Sequence, residues 1–169
     1  MPKRSPSGTP ATDLLDAAGV RYRLHSFPHA ASAPAYGLEA ASALGVAPER
    51  VFKTLMVSVS GLPGEPDPVL LAAVVPVSGS LDLKALAGLL GAKKAELADP
   101  LLAQRRTGYV LGGISPLGSK HPHRTVLDES SFDFETVFCS AGRRGLEIEL
   151  APAELARLIP ADVAAIAKA

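Results

Sequence analysis

Lys53 lies in the run Val51–Val59 (VFKTLMVSV), where two-residue alternation puts Val51, Lys53, Leu55, Val57 and Val59 on one face of a strand. An ammonium sharing an apolar face either reaches out past a sheet edge or is held partly desolvated. In the second case it can hold a carboxylate or phosphate, or stabilise negative charge developing on an ester oxygen. Gly112–Gly118 (GGISPLG) is a loop whose backbone can approach a ligand closely and aim N–H donors at it. It is neither a Walker sequence nor a GxGxxG fingerprint, and taken alone a tight structural turn accounts for it better than a ligand-binding loop does. His121 and His123 bracket Pro122, but no acidic residue or cysteine completes a metal set, so they read as an exposed loop. Cys139 sits in a β-type run and reads as a small buried hydrophobe. Ser115 lacks the Gly-x-Ser-x-Gly elbow, no Ser-His-Asp arrangement is visible, and a covalent hydrolase is disfavoured.

Composition bounds what can hold these groups. In 169 residues, 17 Lys+Arg balance 17 Asp+Glu, which removes the strongly basic signature of a nucleic-acid binder and leaves any such role to local patches. Basic pairs do cluster at Lys93-Lys94, Arg105-Arg106, Lys120 with Arg124, and Arg143-Arg144, either as solvated surface or as a phosphate-tracking rim. Hydrophobic residues at 47% exclude wholesale disorder. The single cysteine excludes an intramolecular disulfide and fits a reducing compartment. The N-terminal segment carries two aspartates where a signal peptide needs an apolar core, and the apolar run Val69–Val77 is far short of the roughly 20 residues that span a bilayer. A soluble, cytoplasmic protein with no membrane partner, cofactor or metal is expected.

The pattern predicts a disordered tail over residues 1–8 and one domain over 9–169. Thr9 is a helix N-cap with Pro10 behind it and Gly19 as the stop. Val20, Tyr22 and Leu24 alternate as a strand, Ser26–Tyr36 is a loop, and a short helix over Leu38–Leu44 ends at Gly45. Val51–Val59 and Val69–Val77 form a hairpin across the turn-rich Gly61–Pro68, with the second strand central because it is apolar throughout. Asp82 caps a helix ending at Gly91. Further strands are expected over Tyr109–Ile114, Thr125–Leu127, Thr136–Ser140 and Leu146–Leu150, and helices after Pro152 and Pro160. Together they predict a mixed, mainly antiparallel α+β domain.

Assembled in order, these segments resemble the YbaK/EbsC family of aminoacyl-tRNA deacylases, relatives of the editing domain of prolyl-tRNA synthetases. The landmarks are Val51-Phe52-Lys53-Thr54-Leu55, Leu81-Asp82-Leu83-Lys84, Gly91-Ala92-Lys93-Lys94, the block from Ala98-Asp99-Pro100 through GGISPLG to Lys120, and Ser140 with Gly142–Leu150. The resemblance implies a barrel-like sheet with flanking helices and hydrolysis of a mischarged ester, most specifically Cys-tRNA(Pro). It assigns the essential lysine to Lys53, the neighbouring threonine to Thr54, the pocket glycine to Gly112 and the pocket serine to Ser140. Phe27 and Tyr36 stand where the family has an aromatic pair with the ring types exchanged, and Glu147 stands where the members have Asp.

On that resemblance, the backbone N–H groups at Gly112 and Gly113 are expected to bind the ester carbonyl, and Lys53 to anchor a phosphate or developing negative charge. Thr54, Ser140 and Glu147 are expected to orient ribose hydroxyls or the substrate ammonium. Phe27, Tyr36, Ile114 and Ser115 complete the substrate pocket, and Arg105, Lys120, Arg143 and Arg144 form a rim for the 3′ end of proline tRNA. Prolyl-tRNA synthetase is a possible partner. Deacylation of Ala-tRNA(Pro) or another misacylated tRNA, or binding of aminoacyl-tRNA or a synthetase without turnover, stand as the alternatives.

Overall fold

The computed structural model describes residues 8–28 and 36–169, with Tyr36 described by its main chain alone. Residues 1–7 of the expected tail over 1–8, and residues 29–35 of the expected loop, lie outside the described residues.

The first helix, α1 (Pro10–Ala18), forms as its caps dictate: Thr9 and Thr12 make a reciprocal capping box, and Gly19 ends the helix at φ 67°. β1 (Arg23–Ser26) begins three residues later than the alternation from Val20 suggests. α2 (Tyr36–Leu44) follows, then β2 (Val51–Ser60) and β3 (Val69–Pro76), which pair antiparallel from Phe52↔Pro76 to Val59↔Val69. β4 (Ser80–Leu81) leads into α3 (Leu83–Leu90), capped by the Asp82 carboxylate and stopped by Gly91. β5 (Lys94–Leu97) and α4 (Pro100–Thr107) follow. The remainder is β6 (Thr125–Asp128), β7 (Val137–Arg143), β8 (Leu146–Leu150), α5 (Pro152–Leu158), β9 (Asp162–Ala164) and β10 (Ala167–Lys168).

Among the described residues the main sheet runs β1-β8-β7-β2-β3-β6-β9, and β10 pairs with β4. Five pairings are antiparallel and three parallel, and β3 is internal, with its last six residues buried. Among the described residues the sheet ends at β1 and β9 without closing, so the barrel-like expectation is corrected to an open sheet.

Two further expectations fail. Residues 109–114 are a loop, because Gly108 and Gly112 take φ of 80° and 83° and break extended pairing. The apolar residues there instead bury Tyr109 and Ile114 beside Met56, Ala72 and Ala103. After Pro160 the chain forms β9 and β10, not a helix, since the Asp128 carboxylate accepts the N–H groups of Ile166 and Ala167, both at 2.9 Å.

The feature that positions the site is a fork beside β2. On one long edge of β2 lies β3. On the other, β7 pairs only with Val51 and Phe52, and β5 pairs only with Val57–Ser60. The Val51 carbonyl accepts from Val77 beyond β3, whereas those of Met56 and Ser60 accept from Ala98 and Lys93 on the far edge. Main-chain groups of odd residues therefore serve β3, those of even residues face the forked edge, and Thr54 falls in the gap between the two partners. β7 leaves β2 because a bulge after Ser140 (Ser140↔Glu147, then Arg143↔Leu146) turns its end away.

Candidate active site

A cavity of about 390 Å³ opens at this fork. The register aligns Val51 with Phe138, so Lys53, Phe138 and Ser140 share one face of the sheet, and Glu147 stands opposite Ser140 on that face. α2 covers one side, and its close approach needs Gly37, where a Cβ would lie 2.3 Å from Val77 Cγ1. The other side is the loop at Leu111, Gly112 and Ile114.

That loop is fixed from beneath. The Tyr109 hydroxyl donates to the Leu117 carbonyl at 2.7 Å, and Gly118 backs onto α1, where a Cβ would meet the Pro10 carbonyl at 2.6 Å. Thr9 in turn donates from Oγ1 to the Ala141 carbonyl in β7. The N-terminal helix thereby locks the loop to the bulge.

Lys53 is half-buried, and its ammonium donates to the Gly79 carbonyl at 3.2 Å, so of the two sequence readings it is the partly desolvated one, held on the apolar face. Glu147 is buried, and loss of solvation pushes its carboxyl from the ordinary 4.5 up to about 8. The Thr54 hydroxyl is buried with no hydrogen bond to any described group. Ser140 Oγ accepts from Gly142 N–H at 3.1 Å within the bulge. Arg144 donates from Nε to the Leu111 carbonyl at 3.1 Å, tying the mouth of the cavity to its loop wall.

Lys53, Gly112, Phe27, Thr54, Ile114, Ser140, Glu147, Arg143 and Arg144 thus line one cavity. Four expected members do not. Gly113 N–H is taken by the Val110 carbonyl at 3.0 Å, and a Cβ there would come 2.7 Å from Arg143 Cα. Its lack of a side chain seats the loop on β7, and this corrects its expected role as a carbonyl donor. Ser115 is buried on the opposite side, where Oγ accepts from Leu117 N–H at 3.2 Å. Arg105 lines a separate shallow depression with Asp99 and Gln104. Lys120 packs over Gly108. The side chain of Tyr36 lies outside the described residues. Leu111 and the α2 residues Gly37–Ala40 are wall residues that the motifs do not mark; for Leu111 the available signal is its place between Gly108 and Gly112.

The sequence profile of the aminoacyl-tRNA editing domain matches residues 33–158. The chain belongs to this editing-domain family. Aminoacyl-tRNA deacylation is accordingly its activity, and mischarged tRNA its substrate class. The editing domain is 39% identical over 126 residues to EbsC of Enterococcus faecalis, named as a candidate Cys-tRNA(Pro)/Cys-tRNA(Cys) deacylase; the match covers 75% of this chain and 73% of that protein. It superposes with a TM-score of 0.80 on a solved structure described as a candidate trans-editing enzyme for prolyl tRNA synthetase, at 25% identity over 99% of this chain and 100% of that one. The hypothetical protein APE2540 gives the same TM-score at 26% identity, over 95% and 100% of the two chains. No described helix of the editing domain is long and apolar enough to cross a membrane.

Proposed function

We propose that the chain clears cysteine from tRNA(Pro), with the cavity at the fork as the site of ester cleavage. The observation that carries this is the absence of an activated nucleophile among the described lining residues: neither cysteine nor histidine is present, and the Ser140 hydroxyl is engaged with its own bulge. An aminoacyl ester is already reactive, so positioning and charge stabilisation suffice. Gly112 N–H binds the ester carbonyl. Lys53, held by Gly79, balances a phosphate or the negative charge that develops on the carbonyl oxygen. Thr54, Ser140 and Glu147 orient the ribose hydroxyls or the α-ammonium, and Phe27 packs against the cargo.

With cysteine as cargo, the substrate thiol attacks its own carbonyl. The S–C bond forms as the C–O bond to ribose breaks, the thiol proton passes to the ribose oxygen, and a cyclic thiolactone leaves. Pocket size alone separates similar amino acids by about 1–3 kcal/mol per methylene, so selection by the thiol supplies what shape does not. With alanine, water must attack instead.

The test is deacylation of Cys-tRNA(Pro) and Ala-tRNA(Pro) by wild type and Lys53→Ala. Lys53→Ala should slow both by on the order of 100-fold. Full activity in the variant would refute the role of Lys53, and binding without turnover by the wild type would favour a non-catalytic module. Equal rates for the two cargoes would sink the thiol route. Because Arg143 and Arg144 are the rim cations at the cavity, affinity for the tRNA body is supplied by a partner such as prolyl-tRNA synthetase; repeating the assay with that enzyme added should raise the rate at low tRNA concentration.

A further inference from the structure

A second chamber, of about 320 Å³, lies on the other face of β2, and Thr54 lines both it and the ester cavity. Alternation sends the Thr54 side chain to this face together with Met56, and the gap between β7 and β5 leaves no strand between the two spaces at Thr54.

Two buried polar atoms on this chamber carry no hydrogen bond to any described group, Thr54 Oγ1 and His123 Nε2. The other polar side chains around them are satisfied. Thr107 donates to Ala103, Ser115 accepts from Leu117, and Thr125 donates to the His123 carbonyl. Ser119 Oγ lies 3.3 Å from His123 Nδ1, which fixes the ring so that Nε2 faces inward. Burial first, then the neighbouring Arg106 and His121, pulls the His123 pKa down, which favours the neutral ring. Buried polar atoms without partners are rare in folded proteins, and this chamber, largely apolar but carrying these two atoms on its wall, has room for ordered water to satisfy them.

We propose that the chamber holds water bridging Thr54 and His123, and that this water attacks the ester when the cargo has no nucleophilic side chain. The inference rests on the assignment of the fork cavity as the ester site. A water passing Thr54 adds its oxygen to the carbonyl carbon, the carbonyl–ribose C–O bond breaks, and the water's proton ends on the ribose oxygen, giving the free amino acid and tRNA. His123 is a positioning residue for that water.

The test compares single-turnover release of alanine and cysteine from matched tRNA(Pro) by wild type, His123→Leu and His123→Gln. His123→Leu should slow alanine release by about 10-fold without weakening substrate binding, while cysteine release stays within about 2-fold and His123→Gln recovers most of the loss. Equal slowing of both cargoes, or none for alanine, overturns the proposal. A wild type that releases neither cargo sinks the functional reading instead. A high-resolution crystal structure of the wild type then decides the chamber on its own: water within hydrogen-bond distance of both Thr54 Oγ1 and His123 Nε2 is expected, and a dry chamber overturns it.

Discussion

Glu147 and Glu149 stand two residues apart on β8 with their side chains on the same face, yet their carboxyls are driven in opposite directions. Glu149 accepts from Thr136 Oγ1 at 2.6 Å and bonds His25 Nε2 at 2.9 Å, with Arg50 at 3.6 Å; the Thr136 bond first, then His25, lowers its pKa. Glu147, one step nearer the fork, has only desolvation acting on it and rises to about 8. One carboxylate is satisfied by its neighbours and serves the fold. The other is buried in a cavity wall without compensation, as expected of a group whose partner arrives with the substrate.

The largest effect should come from removing that unpaired acid. Because the folded state raises the Glu147 pKa from 4.5 to about 8, its proton-bound form is the stable one, and folding free energy is lost as pH rises through that window. Urea unfolding should show the wild type losing on the order of 3–5 kcal/mol between about pH 5 and pH 9 from this group, with Glu147→Gln nearly flat over the same range. Parallel curves for the two proteins would mean that the carboxyl is solvated, and the contrast with Glu149 would collapse.

Glu147 is legible in the sequence through its place in the Gly142–Leu150 run, where it replaces the family's Asp; nothing in that run marks Glu149, although it carries the denser bonding. Signals that act within a few residues are legible in the sequence. The Thr9 and Asp82 caps, the stops at Gly19, Gly45 and Gly91, and the β2–β3 hairpin depend on neighbours within a few residues. α4 has no clear sequence signature although Asp99-Pro100 and Gly108 mark its ends, because its apolar residues run consecutively from Leu101 to Ala103 before Gln104-Arg105-Arg106 and form no stripe at helical spacing. Apolar Tyr109 and Ile114 suggested a strand, but glycines on either side let that segment dock as a loop. Lys53 on an apolar face was readable by alternation alone. The fork is not, since it depends on β7, whose Phe138 pairs with Val51 more than eighty residues earlier in the chain, leaving β2 beyond Phe52 through the bulge after Ser140. The link between Thr54 and His123 follows from that long-range pairing and has no local signature.

A smaller effect should follow from loosening the satisfied carboxylate. Thr136→Val removes the hydroxyl that donates to Glu149 while nearly preserving its shape, and should cost about 1 kcal/mol near neutral pH. The sign with pH is opposite to that of Glu147. Glu149's contribution is present above its unfolded value of 4.5 and is lost as pH falls through the lowered folded one, so wild type and Thr136→Val should converge in acid. A gap that persists there would assign the loss to the Arg50 hydrogen bond to Thr136 Oγ1 or to packing, not to the carboxylate.

The smallest effect separates charge from geometry at the same group. Arg50 donates from Nη2 to Thr136 Oγ1 at 2.7 Å, reaches the Thr136 carbonyl through Nε and Nη2, and sits 5.1 Å from the centre of the Phe138 ring. Arg50→Lys keeps a positive charge near Glu149 but loses the planar fork and the stacking, so about 0.5 kcal/mol of stability should go. The Thr136–Glu149 bond does not depend on the guanidinium, so the Glu149 carboxyl, followed by NMR titration, should stay below its ordinary range. If it instead returns to 4.5, the arginine and not the threonine hydroxyl holds Glu149 ionised, and the difference between the two glutamates is one of proximity to a guanidinium.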